Sequence, residues 1–256
     1  MKDEIQTFFS ALMFYTRIPC PSWVDHSEDR LNKATRYFPL IGWIVGCACA
    51  CVLYVSTWIF PISVSVVLSL IIGVLMTGAF HEDGLGDVCD GFGGGWTKSK
   101  ILDIMKDSRM GAYGVIGLLL LFSLKIATLI SLAENNIWFC VQSLLLAHVL
   151  SRFMAVSFIF THEYVREDAA SKVKPIAKEL SLNNLLISAI WLIPAFLLFN
   201  SPYILLIILP VYAMKMYLAA YFTKWIGGYT GDCLGATQQI TEVFTLLLCL
   251  SLWKFI

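Results

Sequence analysis

Charge is the scarcest commodity in this chain. Only 14% of its 256 residues are Asp, Glu, Lys or Arg, while 58% are hydrophobic. A soluble domain runs at about 25% charged and about 45–50% apolar, and the mean hydropathy of +0.75 departs in the same direction. So few charges cannot cover a water-exposed surface, so lipid must cover much of it. Net charge is also lacking, with 18 basic and 18 acidic residues. That balance argues against a nucleic-acid partner, which a basic excess would favour. Cysteines number eight but no Cys-x-x-Cys pair occurs, and Cys47, Cys49 and Cys51 fall in one apolar run. They read as small buried hydrophobes rather than as disulfides or metal ligands. The start, Met1-Lys-Asp-Glu-Ile5, lacks a basic segment followed by an apolar core and cleavage site, so no cleaved signal peptide is expected. No internal repeat or low-complexity stretch is visible.

What the chain has instead is long apolar runs. A spanning helix needs about 20 mostly apolar residues. Seven candidates follow, near 38–60, 62–80, 112–132, 137–160, 184–200, 203–222 and 241–256, the fifth and seventh being short. The expected fold is therefore all-α, a single polytopic membrane domain over 1–256. Connections alternate between long charged segments and short bland ones. Segments 1–37, 81–111, 161–183 and 223–240 carry five, four, four and one Lys or Arg, which is 14 of the 18 in the chain, and the short connections carry none. The positive-inside rule puts the four long segments in the cytoplasm. In a bacterium this means a multi-pass protein of the cytoplasmic (inner) membrane. Within 1–37, Ile5, Phe8, Phe9, Leu12 and Met13 recur at helical spacing beside Lys2, Asp3, Glu4 and Gln6, which predicts an interfacial helix over 1–15.

The informative stretch is Thr77-Gly-Ala-Phe-His-Glu-Asp-Gly-Leu-Gly-Asp-Val-Cys-Asp-Gly-Phe-Gly-Gly-Gly95. It is expected to leave a span and enter a cytoplasmic loop. Glu82, Asp83, Asp87 and Asp90 put four carboxylates within nine residues. Asp83 to Asp87 is i,i+4 and Asp87 to Asp90 is i,i+3, so in a helix these three share a face. Carboxylates that close repel and raise one another's pKa. A hard divalent cation relieves the conflict, and an all-oxygen set suits Mg²⁺ or Mn²⁺, which bridge to substrate phosphates. Gly93, Gly94 and their neighbours let backbone amides approach an anion. The spacing is not that of an EF-hand, and Trp96 stands where a dinucleotide-binding loop needs its third glycine.

Cations follow directly. Lys106, Ser108 and Arg109 lie in Asp103-Ile-Met-Lys-Asp-Ser-Arg-Met-Gly-Ala-Tyr-Gly114, where Arg109 suits bidentate contact with a diphosphate. Acids beside cations in one segment make the layout of phosphoryl transfer. Asp232, in Gly228-Tyr-Thr-Gly-Asp-Cys-Leu-Gly-Ala236, is a candidate to complete the metal shell, with Glu242 further on and Gly231 and Gly235 as candidate channel lining. Arg17 and Arg36 are candidate phosphate contacts or membrane anchors. His81 is a candidate general base. Lys125, Arg152 and Lys215 fall inside spans, with His148 one turn before Arg152. Lys125 and Lys215 are expected to snorkel, and Arg152 is a candidate for the active-site cavity.

The Thr77–Gly95 run and the Ile104-Met-Lys-Asp-Ser-Arg-Met-Gly-Ala-Tyr-Gly114 run resemble the signature of the cobalamin synthase family, the adenosylcobinamide-GDP ribazoletransferases. Phe14-Tyr-Thr-Arg-Ile-Pro19, Tyr37-Phe-Pro-Leu-Ile-Gly42 and Gly231-Asp-Cys-Leu-Gly-Ala236 extend the likeness along nearly the whole chain. Ala79-Phe80 stands where the family pattern has Gly-Leu, and Gly86 where it has Ala, while every acidic position is kept. The resemblance implies attack by the 5′ oxygen of α-ribazole, or of its 5′-phosphate, on the diphosphate of adenosylcobinamide-GDP. Adenosylcobalamin, or its 5′-phosphate, and GMP would form with Mg²⁺. It implies metal and catalytic roles for Glu82, Asp83, Asp87 and Asp90, diphosphate contacts from Lys106 and Arg109, and support from Asp232. Two alternatives fit less well. A CDP-alcohol phosphotransferase would place an Ala-Arg pair after Asp90-Gly, which is missing. A transporter would place acids at mid-membrane. A homo-oligomer stays open.

Overall fold

The computed structural model describes residues 2–24, 27–165 and 180–255. Arg166, Lys172, Lys174 and Lys178, counted above for orientation, lie outside the described residues. The fold is all-α. Helices α1 (Lys2–Tyr15), α2 (Glu28–Ala34), α3 (Phe38–Ser56), α4 (Ile62–Thr77), α5 (Phe80–Gly94) and α6 (Lys98–Ile104) make the first half. Helices α7 (Ala112–Asn135), α8 (Ile137–Thr161), α9 (Leu182–Ile190), α10 (Leu192–Leu197), α11 (Ile208–Ile226) and α12 (Gly231–Leu252) make the second. Among the described residues, one isolated bridge, Tyr164 to Tyr229, is the only β pairing.

Five helical stretches are long and apolar enough to cross a membrane: Asp29–Ser56, Ala112–Asn135, Ile137–Thr161, Pro202–Ile226 and Gly231–Phe255. A sixth is counted if α4 and α5, bent 90° to one another, form one broken span. The chain is thus a polytopic membrane protein with five or six candidate spans rather than seven. The expected span at 184–200 is the one that fails. Pro194 has no N–H to give the carbonyl of Ile190 and crowds it, and the helix breaks there at Trp191, whose carbonyl accepts from Trp43 Nε1 at 2.9 Å instead. The last span starts at Gly231 and not 241, because Thr230 caps the helix by accepting from Cys233 N.

α8 runs through the centre, buried along most of its length between α3, α7, α11 and α12. Two glycines four apart on α3 allow the closest approach. A Cβ at Gly42 would lie 2.5 Å from the carbonyl oxygen of His148, and one at Gly46 3.2 Å from His148 Cβ. Small residues spaced this way let helix backbones meet in a membrane. The contact fixes His148 and, one turn on, Arg152. Helix α1 does form over the expected interfacial segment. It is fastened to the bundle by Arg36, which donates to Glu4 Oε2 at 2.6 Å and to Asn184 Oδ1 at 3.1 Å.

Candidate active site

The acidic motif begins at a sharp elbow. Gly78 (φ 66°) and Ala79 (φ 58°) are both left-handed, ending α4 and turning the chain into α5. Glycine takes that conformation without cost, whereas for Ala79 it is strained. Arg17 braces the elbow. Its N–H donates to the Met76 carbonyl at 2.7 Å, and its guanidinium lies over Gly78 where any side chain would collide with it. Arg17 is therefore beside the acid helix, while Arg36 is bonded to Glu4 and Asn184.

Residues 80–94 were expected as loop and form a helix instead, packed against α7 and α12. The glycines are the reason. A Cβ at Gly84 would lie 3.0 Å from the Asp232 carbonyl oxygen, one at Gly235 3.1 Å from the His81 carbonyl oxygen, and one at Gly93 2.6 Å from the Tyr113 ring. They permit close crossings of α5 with its neighbours. Gly93 and Gly94, the predicted cradle residues, lie in the last turn of the helix, Gly94 exposed, where amides point back into the helix and the groups left free are carbonyls.

The helix sorts its four acids. Asp83 is exposed and Asp87 half-buried, one turn apart, with the Asp232 backbone seated against Gly84 between them. Glu82 points inward, buried, with Oε1 accepting from Gln239 Nε2 at 2.9 Å. Asp90 turns to α7, where its carboxylate accepts from the amides of Gly111 at 2.6 Å and Gly114 at 2.9 Å. Those are orphan donors of a helix N-terminus, for which a carboxylate is a good cap. Asp90 thus seats α7 on α5. Among the described residues, no three His, Cys, Asp or Glu side chains converge to hold an ion. The remaining outer pair fits Mg²⁺ all the same, since that ion takes one or two carboxylates, substrate phosphates and water rather than a closed protein cage.

Lys106, Ser108 and Arg109 are exposed on the turn between α6 and α7. Arg109 grips Asp107 with two nitrogens, Nε at 3.0 Å and Nη2 at 2.6 Å. These hydrogen bonds hold the Asp107 carboxyl down at about 2.

Behind Glu82 lies a polar cluster that single-residue reading did not assemble. Glu242 of α12 is buried and bonded to Lys125 of α7, with Gln238 Nε2 at 2.5 Å, His148 Nδ1 at 3.3 Å and Arg152 Nη1 at 3.6 Å. Lys125 does not snorkel, because Glu242 meets it inside the bundle. Lys215 is likewise fully buried, donating to Thr161 Oγ1 at 2.6 Å. Arg152, also donating to the His148 carbonyl at 2.9 Å, reaches the same small cavity as His81, Glu82, Gln239 and Glu242. Its volume is about 20 Å³, room for a water. His81 Nε2 and Glu82 Oε2 are buried there without a hydrogen bond.

Comparison with known proteins bears directly on this arrangement. Residues 7–250 match the family model described as Cobalamin-5-phosphate synthase. The Adenosylcobinamide-GDP ribazoletransferase of Shewanella frigidimarina (strain NCIMB 400) is 46% identical over 248 residues, covering 97% of this chain and 95% of that one. The protein of the same name from Shewanella amazonensis (strain ATCC BAA-1098 / SB2B) is 46% identical over 254 residues, covering 99% and 98%. A third, from Shewanella piezotolerans (strain WP3 / JCM 13877), is 45% identical over 250 residues. The chain belongs to the cobalamin-5-phosphate synthase family. No solved structure matches it. As a member of this family it is a transferase, and the family match takes in both the elbow with its acid helix and the buried Glu242 cluster.

The sequence carried one signal for that cluster, namely five ionisable residues inside apolar runs: Lys125, His148, Arg152, Lys215 and Glu242. Ionisable groups in spans pair with one another, and four of the five do so here.

Proposed function

We propose that this enzyme joins adenosylcobinamide-GDP to α-ribazole, or to α-ribazole 5′-phosphate, giving adenosylcobalamin, or its 5′-phosphate, and GMP. The observation that carries the reading is the sorting of acids on α5, beside the α6–α7 turn that bears Lys106 and Arg109, in a chain 46% identical to a ribazoletransferase over nearly its full length. The reaction takes place at the cytoplasmic face of the bacterial cytoplasmic membrane, where the Lys and Arg of the long segments place the acid helix.

The 5′ oxygen of ribazole attacks the phosphorus that carries the corrinoid alcohol. A new P–O bond forms, the bridging P–O bond of the diphosphate breaks, and GMP departs with the electron pair. Asp83 and Asp87, with Asp232 beside them, are the residues that would hold Mg²⁺. When bound, the ion offsets the negative charge that grows on the departing phosphate. Arg109 and Lys106 bind the guanosine-side phosphate, Arg109 by exchanging Asp107 for the substrate. Ser108 completes the phosphate site. His81, with Nε2 unbonded, takes the proton of the 5′ hydroxyl. Arg152 and Glu82 position His81 from behind. Asp90 acts through α7, by fixing the turn that carries the cations.

The test is GMP release by purified protein in liposomes given both substrates, with Mg²⁺ or with EDTA. Mg²⁺-dependent GMP together with a cobalamin product is expected. No GMP under any condition would refute the reading.

A further inference from the structure

His81 borders two cavities, and the second is unlike the first. It lies between α1, α3, α5, α8 and the first turn of α12, with a volume of about 60 Å³ against about 20 Å³ for the polar one. Phe14, Tyr15, Phe38 and Phe80 line one side, and Ile159 and Leu234 the other.

The rings are ordered rather than jumbled. Tyr15 stacks on Phe38 at 4.0 Å and 19°, and Phe38 stacks on His81 at 5.4 Å and 22°. Phe80 meets His81 edge-on at 5.3 Å and 89°, and Phe14 meets Phe80 at 5.4 Å and 74°. Parallel faces and perpendicular edges together make a slot that suits a flat ring system. Apart from the His81 ring and the Tyr15 hydroxyl, the lining is apolar. Gly231 stands at the rim. A Cβ built there would meet nothing within 4 Å, so no packing demands glycine at that point.

Resting on the function proposed above, we propose that this slot receives the base of the incoming ribazole and that Gly231 keeps it open. Two flat bases enter the reaction, and the lining distinguishes them. Guanine carries donors and acceptors on its edges that an apolar slot would leave unpaired, at a cost in affinity. Ribazole carries a dimethylated benzimidazole, whose methyl edge is apolar. The slot shares His81 with the polar cavity, and Gly231 adjoins Asp232. A base seated here brings its ribose toward His81 and the acids.

The experiment measures steady-state GMP release by Gly231→Leu, Gly231→Ala and the parent enzyme, varying each substrate in turn. Gly231→Leu is expected to raise KM for ribazole about tenfold or more, the range set by a pocket side chain of this size, with KM for adenosylcobinamide-GDP changed less than about twofold. Gly231→Ala, with a smaller side chain at the rim, should raise KM for ribazole by less than Gly231→Leu does. On the parent enzyme alone, ribosylated benzimidazole without its methyls should show a KM about tenfold above that of ribazole. Gly231→Leu should narrow this preference, an effect that a merely structural role would not produce. An unchanged KM for both substrates, or a rise confined to adenosylcobinamide-GDP, would overturn the slot assignment. So would indifference of the parent enzyme to the two methyls. Absence of GMP from the parent enzyme would instead refute the reaction itself.

Discussion

Glu82 and Asp83 are adjacent in sequence and live in different chemistries. Asp83 is exposed and shares the outer side of α5 with half-buried Asp87. Glu82 is buried and belongs with Gln239, Arg152, His148, Lys125 and Glu242. The outer group keeps its charges at the surface, where they are able to exchange partners. Arg109 illustrates this, with its side chain 87% exposed and paired with Asp107. The inner group is spent on itself, with Glu242 in contact with three cationic or protonatable side chains. Exposed charges are cheap to hold and open to substrate. Buried ones demand pairing, and return a fixed geometry.

If that division is real, substitutions on the two sides should fail differently. The largest effect belongs outside. Asp87→Asn is expected to lower kcat for GMP release by about 10³-fold, within the usual range for removing a group that stabilises developing charge, while thermal unfolding in detergent stays at the parent midpoint. A matching loss of stability would erase the distinction. Next is Glu242→Gln, which strands Lys125 and Arg152 without a counter-charge. A loss of about 3–5 kcal/mol is expected in the unfolding of the solubilised protein. Adding Lys125→Met should restore part of it, and no recovery would count against pairing as the cause.

A smaller effect tests the junction between the two groups. Gly111→Ala would put a Cβ 2.5 Å from Asp90 Oδ1. It should cost about 1–3 kcal/mol, the penalty for forcing a tight site apart. It should also slow turnover through the displaced α6–α7 turn, measured by unfolding and GMP release together. The smallest effect concerns α1. Glu4 sits below its usual carboxylate range, chiefly through the hydrogen bond from Tyr37 and then through Arg36, against some burial. Its folded pKa is depressed, so its contribution is present above the unfolded value of 4.5 and lost as pH falls through the lower folded one. An exposed pair is worth about 0–1 kcal/mol. Proteolysis of α1 should quicken only slightly below that range, Tyr37→Phe should largely remove the pH step, and Arg36→Ala should only shrink it.

Much of this was legible in one dimension. The low charge and long apolar runs give a polytopic helical protein, and the acid and glycine run marks the candidate site, because both are local properties of the chain. The helical state of residues 80–94 was not legible, since five glycines there argue for a loop. Only the neighbours they pack against explain a helix. Pro194 did carry the signal that breaks the expected span. The Glu242 cluster was hidden for another reason. Lys125 and Glu242 are 117 residues apart, and each read alone passes for a snorkelling or loop charge.

That separation also matters while the protein is being made. At about 5–20 residues per second, Lys125 leaves the ribosome on the order of ten seconds before Glu242 exists. Through that interval α7 carries an ammonium group with no acid to meet it. The helix must wait near the membrane surface or lean on the insertion machinery. Helix α12, made well after α7, is then a latch of the bundle, and a chain cut short before Glu242 would leave α7 without its anchor.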